Sequence, residues 1–369
     1  MGPRVVLHIG SMKSGTTFLQ SAIGQNQETL AEAGVRFLGG SFGKQVKAVR
    51  QVLQAPDPET EGRKRSRWLS LVEEAASGDW QTSIVSMEFL SFANDEAVGR
   101  FLEPLAGLDV RVVVTVRDQL RAIPAQWQTY TRNQGFDDWA TYLKNIQPRK
   151  TGFRRSRALR TFSRAQDLAP VLERWGARPE VTELVVVTVP SPGAPKDELW
   201  SRFCTASAIP PESADLSSVR DNPSLGYASC DYLRRVNRHL SEVPRRQYRR
   251  GIWLLARDAL RPLHDNEGRP PLDQRAAAFA CERNGEIREA VTARADRLVG
   301  TLEDLPLTAA GDRPRRVDPP PRDQVVRAAE TAWDHLALQV GEAPGGRPDD
   351  LDPLVADSAR LIRLANGWD

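Results

Sequence analysis

A three-layer α/β/α fold around a central parallel sheet is the expectation for this chain, and three observations carry it. Apolar, β-branched runs recur without polar alternation, as in strands covered on both faces. Segments with helical patterning separate these runs, which implies parallel pairing through crossovers. The first run also enters a glycine-rich turn that leads directly into a helical stretch.

The buried strands are read at Arg4–Ile9, Ser83–Ser86, Val110–Val116 and Leu184–Val189, and Val35–Leu38 is a weaker run suited to a sheet edge. Helical patterns cover Thr17 to about Leu30, Lys44–Gln54, Gly62–Ala76, Gln119–Asn133 and Leu168–Trp175. From about Trp200 the strand pattern fades, and Leu225–Leu240, Arg245–Arg257 and Gln274–Leu302 read as helices. Asp312–Arg322 is rich in Pro and Arg and reads as a linker, followed by helical stretches at Gln324–Gln339 and near Leu354–Ala365. The expected organisation is one α/β domain over 1–310, with its core at 4–240 and a helical part at 225–302, then a linker and C-terminal helices over 311–369.

Composition excludes more than it selects. The chain has 369 residues, enough for one large domain with an appendage. Its 51 basic and 48 acidic residues leave a net charge of +3, so nothing global points to a nucleic-acid partner, although a local basic cleft would suit an anionic ligand. Cys204, Cys230 and Cys281 are widely spaced and odd in number, which gives neither a disulfide framework nor a zinc site and reads as buried thiols in a reducing compartment. The start, Met1-Gly2-Pro3-Arg4, enters a strand without a signal-peptide pattern, and no run approaches the ~20 apolar residues of a membrane span. The expectation is a soluble, cytoplasmic protein with no membrane span, binding no metal.

The chemistry-bearing segment is Gly10-Ser11-Met12-Lys13-Ser14-Gly15-Thr16-Thr17, between the apolar run Val5–Ile9 and the helical run Phe18–Ile23. A strand entering such a loop aims successive backbone N–H groups at one point, and the following helix adds partial positive charge there. Lys13 supplies a mobile point charge, and the hydroxyls of Ser14, Thr16 and Thr17 can donate. The two glycines have P-loop spacing, but Thr16 stands where that motif has its lysine, and Lys13 lies inside the loop instead.

The run from His8 to Gln20 resembles the 5′-phosphosulfate-binding loop of sulfotransferases that use 3′-phosphoadenosine-5′-phosphosulfate (PAPS). The lysine two residues before the second glycine and the double threonine after it carry that resemblance. It implies a P-loop-related fold used for sulfuryl transfer, with PAPS as donor. Carried over by position, Lys13 would contact the bridging oxygen and the sulfuryl group. Gly15, Thr16 and Thr17 would hold the 5′-phosphate, with Ser11 and Ser14 in the same loop. The resemblance extends over about residues 4–240 and is strongest in the first 130.

A second segment, Val110–Val116 followed by Arg117-Asp118 and a helical run, places Arg117 beyond the carboxyl end of a strand, where ligands bind in parallel sheets. Its guanidinium can take a phosphate bidentately, or it can simply pair with Asp118, which suits a helix cap. The segment resembles the 3′-phosphate-binding element of the same family, with Arg117 matching its arginine. The serine of that element, eight residues on, is Ala125 here. A methyl group cannot donate, so a hydrogen bond worth ~1 kcal/mol or more is replaced or forgone. Gln126, Arg121 and a water are the substitutes. Trp127 and Tyr130 continue the apolar face of that helix and read as core.

Transfer to a hydroxyl needs a base. Ser83–Ser86 ends in Met87-Glu88-Phe89, which puts Glu88 at the cleft side of a strand end, and the resemblance places a catalytic His or Glu near there. His8, inside the first strand, is the other candidate, although that setting favours a buried, hydrogen-bonded histidine. His239, His264 and His335 have no partner at metal spacing.

Two weaker signals remain. Asp221-Asn222-Pro223-Ser224-Leu225-Gly226 resembles a stretch of bacterial members of the family, but Asn222 or Ser224 reads first as a helix cap, and the cluster Arg149-Lys150 with Arg154-Arg155 reads as a solvated face before a lid. The function expected is transfer of a sulfuryl group from PAPS to an unidentified small-molecule, sugar or lipid acceptor. A P-loop kinase or nucleotidase, and a nucleotide-binding regulatory protein with a degenerate site, are the alternatives.

Overall fold

The computed structural model describes residues 3–54, 61–147, 156–217, 219, 224–341 and 346–368, with side chains in the Glu61–Ala76 helix described from residue 67. The Arg149-Lys150 and Arg154-Arg155 cluster and Asp221–Pro223 lie outside these residues.

Six strands form one all-parallel sheet: β1 (Arg4–His8), β2 (Val35–Phe37), β3 (Thr82–Ser86), β4 (Asp109–Val116), β5 (Val181–Thr188) and β6 (Arg297–Val299), in the order β2-β3-β1-β4-β5-β6. The five runs read from the sequence are strands β1 to β5, and β2 is the edge. The layers follow from strand alternation. Val5, Leu7, Val112, Val114, Leu184 and Val186 pack on one face with Leu38, Val49, Trp68, Phe101 and Trp175. Val6, Val113, Val185 and Val187 point to the other, against Leu19, Ile23, Trp200 and Phe203 of the helices Thr16–Gln25 and Glu198–Ser207. Both faces are covered, which is why the strands carry no polar alternation.

Two readings change. The stretch Gln274–Leu302 is not one helix: it ends at Arg294, and Arg297–Val299 becomes β6 beside β5. Asp296 forces the change, because its N–H donates to Leu184 O at 2.9 Å while its carboxylate accepts from Leu184 N at 2.7 Å. The stretch from Thr17 to Leu30 likewise breaks at Asn26, into helices Thr16–Gln25 and Gln27–Glu32.

The chain divides into two compact units. The first comprises Met1–Ala122, Arg164–Asn222 and Ala280–Ala309 and holds the whole sheet. The second comprises Ile123–Ser163, Pro223–Phe279 and Ala310–Asp369 and is helical, so residues 310–369 cluster with two earlier segments. Trp127 is buried in it, packed edge-on to Tyr227 and donating from Nε1 to Asp137 O at 3.1 Å, and Tyr130 is buried beside Tyr142. All three cysteines are buried, and none is in a disulfide.

Candidate functional site

The glycine loop leaves β1 without leaving β4. Ile9 N donates to Val113 O and Ser11 N donates to Thr115 O, both at 2.9 Å, while Met87 N donates to His8 O at 2.9 Å. The loop base is therefore clamped between the ends of β3 and β4. The chain then takes left-handed backbone at Gly10 (φ 45°), Lys13 (φ 71°) and Gly15 (φ 85°). Glycine adopts that region freely, whereas a lysine there stores strain that persists only where its surroundings impose it. Gly15 is the N-cap of the Thr16–Gln25 helix and has no side chain to satisfy the first N–H groups, which keeps those donors for a ligand.

Thr115, on β4, organises the underside of the loop. Its Oγ1 lies 2.6 Å from Ser14 Oγ and 3.2 Å from His8 Nε2, and its carbonyl accepts from Ser11 Oγ at 3.2 Å. Ser14 Oγ also donates to Ser11 O at 2.5 Å. His8 Nδ1 lies 2.8 Å from Ser86 Oγ. The hydroxyl of Ser14 is thus turned into the fold, and the residue is fully buried.

His8 is fully buried, and both ring nitrogens are engaged by hydroxyls. Burial pulls its pKa down from 6.5 to about 3, because the imidazolium would lose its hydration with no carboxylate to replace it. The neutral ring acts as a strut between β3 and β4 and reaches no solvent-borne acceptor. The unfolded chain takes up a proton near pH 6.5 that the folded ring refuses until about pH 3, so stability is full above the upper value and falls as pH drops between the two. Urea unfolding at about pH 7.5 and about pH 5.5 should differ by ~1.4 kcal/mol from this group. His8→Gln should remove that part of the pH dependence, and an unchanged dependence in the variant would contradict the assignment.

Glu88 opens the short 3-10 turn Glu88–Phe92 beyond β3, and Thr16 Oγ1 donates to its Oε2 at 2.9 Å. The bond brings Glu88 to the loop. It also engages the Thr16 hydroxyl proton, and the backbone N–H of Thr16 has no side-chain cap. Thr17 is exposed at the helix start.

Arg117 follows β4 directly, and its Nη1 donates to Lys13 O at 3.2 Å. The same loop is held from the other side, where Gln166 Nε2 donates to Met12 O at 2.8 Å. Gln119 Nε2 in turn donates to Gln166 Oε1 at 3.0 Å. Asp118 caps the helix Gln119–Arg132 by accepting from Leu120 N at 2.9 Å, and Asn284 bridges the cap by accepting from Gln119 N and donating to Asp118 Oδ1. Asp118 is therefore engaged in the cap and with Asn284, while Arg117 is turned to the loop.

Lys13, Gly15, Thr16, Glu88 and Arg117 are thus brought together at the carboxyl edge of β1, β3 and β4, with Ser11 and Ser14 beneath. Ala125 lies further along the Gln119–Arg132 helix, within the second unit, and its methyl offers no donor. Gln126 is buried there with its Oε1 unpartnered, while Arg121 Nη1 donates to Pro190 O at 2.6 Å within the first unit. His239 is exposed, and no metal-ligating cluster occurs among the described residues. Thr115, Gln166 and Asn284 were not legible in the sequence. Thr115 reads as one more β-branched strand residue, and Gln166 lies 154 positions from the loop residue it holds.

No protein-family model, no curated protein and no solved structure matches the chain.

Proposed function

We propose that the chain is a PAPS-dependent sulfotransferase with a P-loop-related α/β core, acting in the cytoplasm on a small-molecule, sugar or lipid acceptor. The observation that carries this reading is Lys13: a lysine held in left-handed backbone between two left-handed glycines, with the Arg117 guanidinium on its carbonyl.

The donor set suits a phosphorylated anion. Uncapped N–H groups at Thr16 and Thr17, the loop residue Lys13 and the Arg117 guanidinium on its carbonyl make up a cationic donor set, while no lysine follows Gly15 to serve a triphosphate. PAPS, when bound, supplies an activated sulfuryl group on a phosphate leaving group. Lys13 then offsets negative charge at the bridging oxygen, as preorganised cations do where charge develops. Gly15, Thr16 and Thr17 hold the 5′-phosphate through backbone N–H groups, and Arg117 binds the 3′-phosphate. Glu88, oriented by Thr16, receives the acceptor proton on its other oxygen.

Ala125 favours a second reading, a nucleotide-binding regulator, because one donor of the 3′-phosphate element is missing. Turnover separates the two. With sulfur-labelled PAPS and a panel of hydroxyl and amine acceptors, label should move to at least one acceptor. Binding without transfer to any of them would favour the regulator.

A further inference from the structure

We infer that the exposed face of the Arg245–Leu255 helix is a docking surface for an anionic lipid membrane. The helix reads Arg245-Arg246-Gln247-Tyr248-Arg249-Arg250-Gly251-Ile252-Trp253-Leu254-Leu255. Tyr248, Ile252 and Leu255 are buried and fix it within its own unit. On the arc running from beside Ile252 round to the far side, Arg245, Arg249, Arg246 and Arg250 are all exposed. At ~100° per residue, Trp253 falls among these arginines, with Leu254 at the edge of the arc. Trp253 is 53% exposed and Leu254 40% exposed, and the Arg257 guanidinium lies 4.5 Å from the centre of the indole ring.

Four exposed guanidiniums on one helix give this face its charge, in contrast to arginines that lie against carboxylates, such as Arg4–Asp109, Arg202–Asp304, Arg283–Asp167 and Arg297–Glu183. Among the described residues no carboxylate pairs with Arg245, Arg246, Arg249 or Arg250, whereas Arg257 beside Trp253 is paired with Asp258. An arc of uncompensated guanidiniums draws an anionic surface. A duplex nucleic acid would engage the arginines but has no use for an exposed leucine beside an exposed indole. A lipid interface uses both, because guanidiniums sit at the phosphate level while Trp and Leu enter the acyl boundary.

The test uses the full chain with phosphatidylcholine vesicles, with and without phosphatidylglycerol. Binding is expected only to the anionic vesicles and should weaken at high salt. The double variant Arg249→Gln/Arg250→Gln should lower vesicle partitioning about thirty-fold, at roughly one charge's attraction per arginine. Arg249→Lys/Arg250→Lys should retain most of it, and Trp253→Ala should reduce it at constant charge. These side chains face solvent, so the variants should keep the circular dichroism of the parent. Equal binding to neutral vesicles, no binding to either, an unchanged partition in the double Gln variant, or tighter retention on duplex DNA than on anionic vesicles would each overturn the proposal.

Discussion

Lys13→Ala is expected to lower kcat for sulfuryl transfer about a thousandfold, as expected for removing a preorganised charge from a developing anion, or ~4 kcal/mol of transition-state stabilisation. The fold should survive, because the loop is held by bonds that do not involve this side chain: Ser11 N to Thr115 O, Gln166 to Met12 O, and Arg117 to Lys13 O. Backbone strain supplies a second readout. Residue 13 has φ 71°, a region costing an L-residue ~1 kcal/mol or more that glycine does not incur. Lys13→Gly should therefore be more stable than Lys13→Ala by ~1 kcal/mol, with both inactive. In the proposed role, the strained lysine would trade stability for activity. Full turnover in either variant would remove Lys13 from the chemistry, and equal stabilities would mean that the loop is not strained there.

Gly10→Ala should be the most damaging single change to the loop. A Cβ at Gly10 would lie 2.5 Å from Thr16 Cγ2, 2.6 Å from Thr115 Oγ1 and 3.1 Å from His8 Nε2, on backbone at φ 45°. Those three neighbours belong to the packed underside of the loop, where His8 and Thr115 are fully buried and Thr16 nearly so, and none is a long side chain that can swing aside. Strain from the left-handed backbone and overpacking together amount to ~3 kcal/mol. The expected result is a thermal transition lowered by several degrees and loss of nucleotide binding, since the Ser14–Thr115 and His8–Thr115 contacts must open to admit the methyl. A variant as stable as the parent would contradict this packing. Gly15→Ala should be milder, because its Cβ would meet only the flexible tip of Leu199 at 2.5 Å.

The strands of the sheet were legible because burial on both faces leaves an unbroken β-branched signal, clearest in Val110–Val116. β6 was not, because three partly exposed residues following a long helix give no period to read, and pairing with Leu184 through Asp296 decides them. At the site, the residues that would touch a ligand stood out because the loop requires their types at close spacing. The residues that hold the loop did not. Thr115, Gln166 and Asn284 act through single long-range bonds that have no local pattern. The hydroxyls of Ser14 and Thr16 illustrate the same limit: the sequence offered both as ligand donors, and the structure commits them to Ser11 with Thr115, and to Glu88.

Titration calorimetry with 3′-phosphoadenosine-5′-phosphate in metal-free buffer, beside ATP with magnesium, tests the assigned chemistry most directly. Lys13, the uncapped N–H groups and Arg117 predict binding of the bisphosphate with Kd on the order of micromolar, near −8 kcal/mol, and no need for magnesium. Arg117→Ala should weaken it at least tenfold, since a charged hydrogen bond to phosphate is worth ~1.5–3 kcal/mol. Binding of ATP with magnesium alone, and none of the bisphosphate, would contradict it.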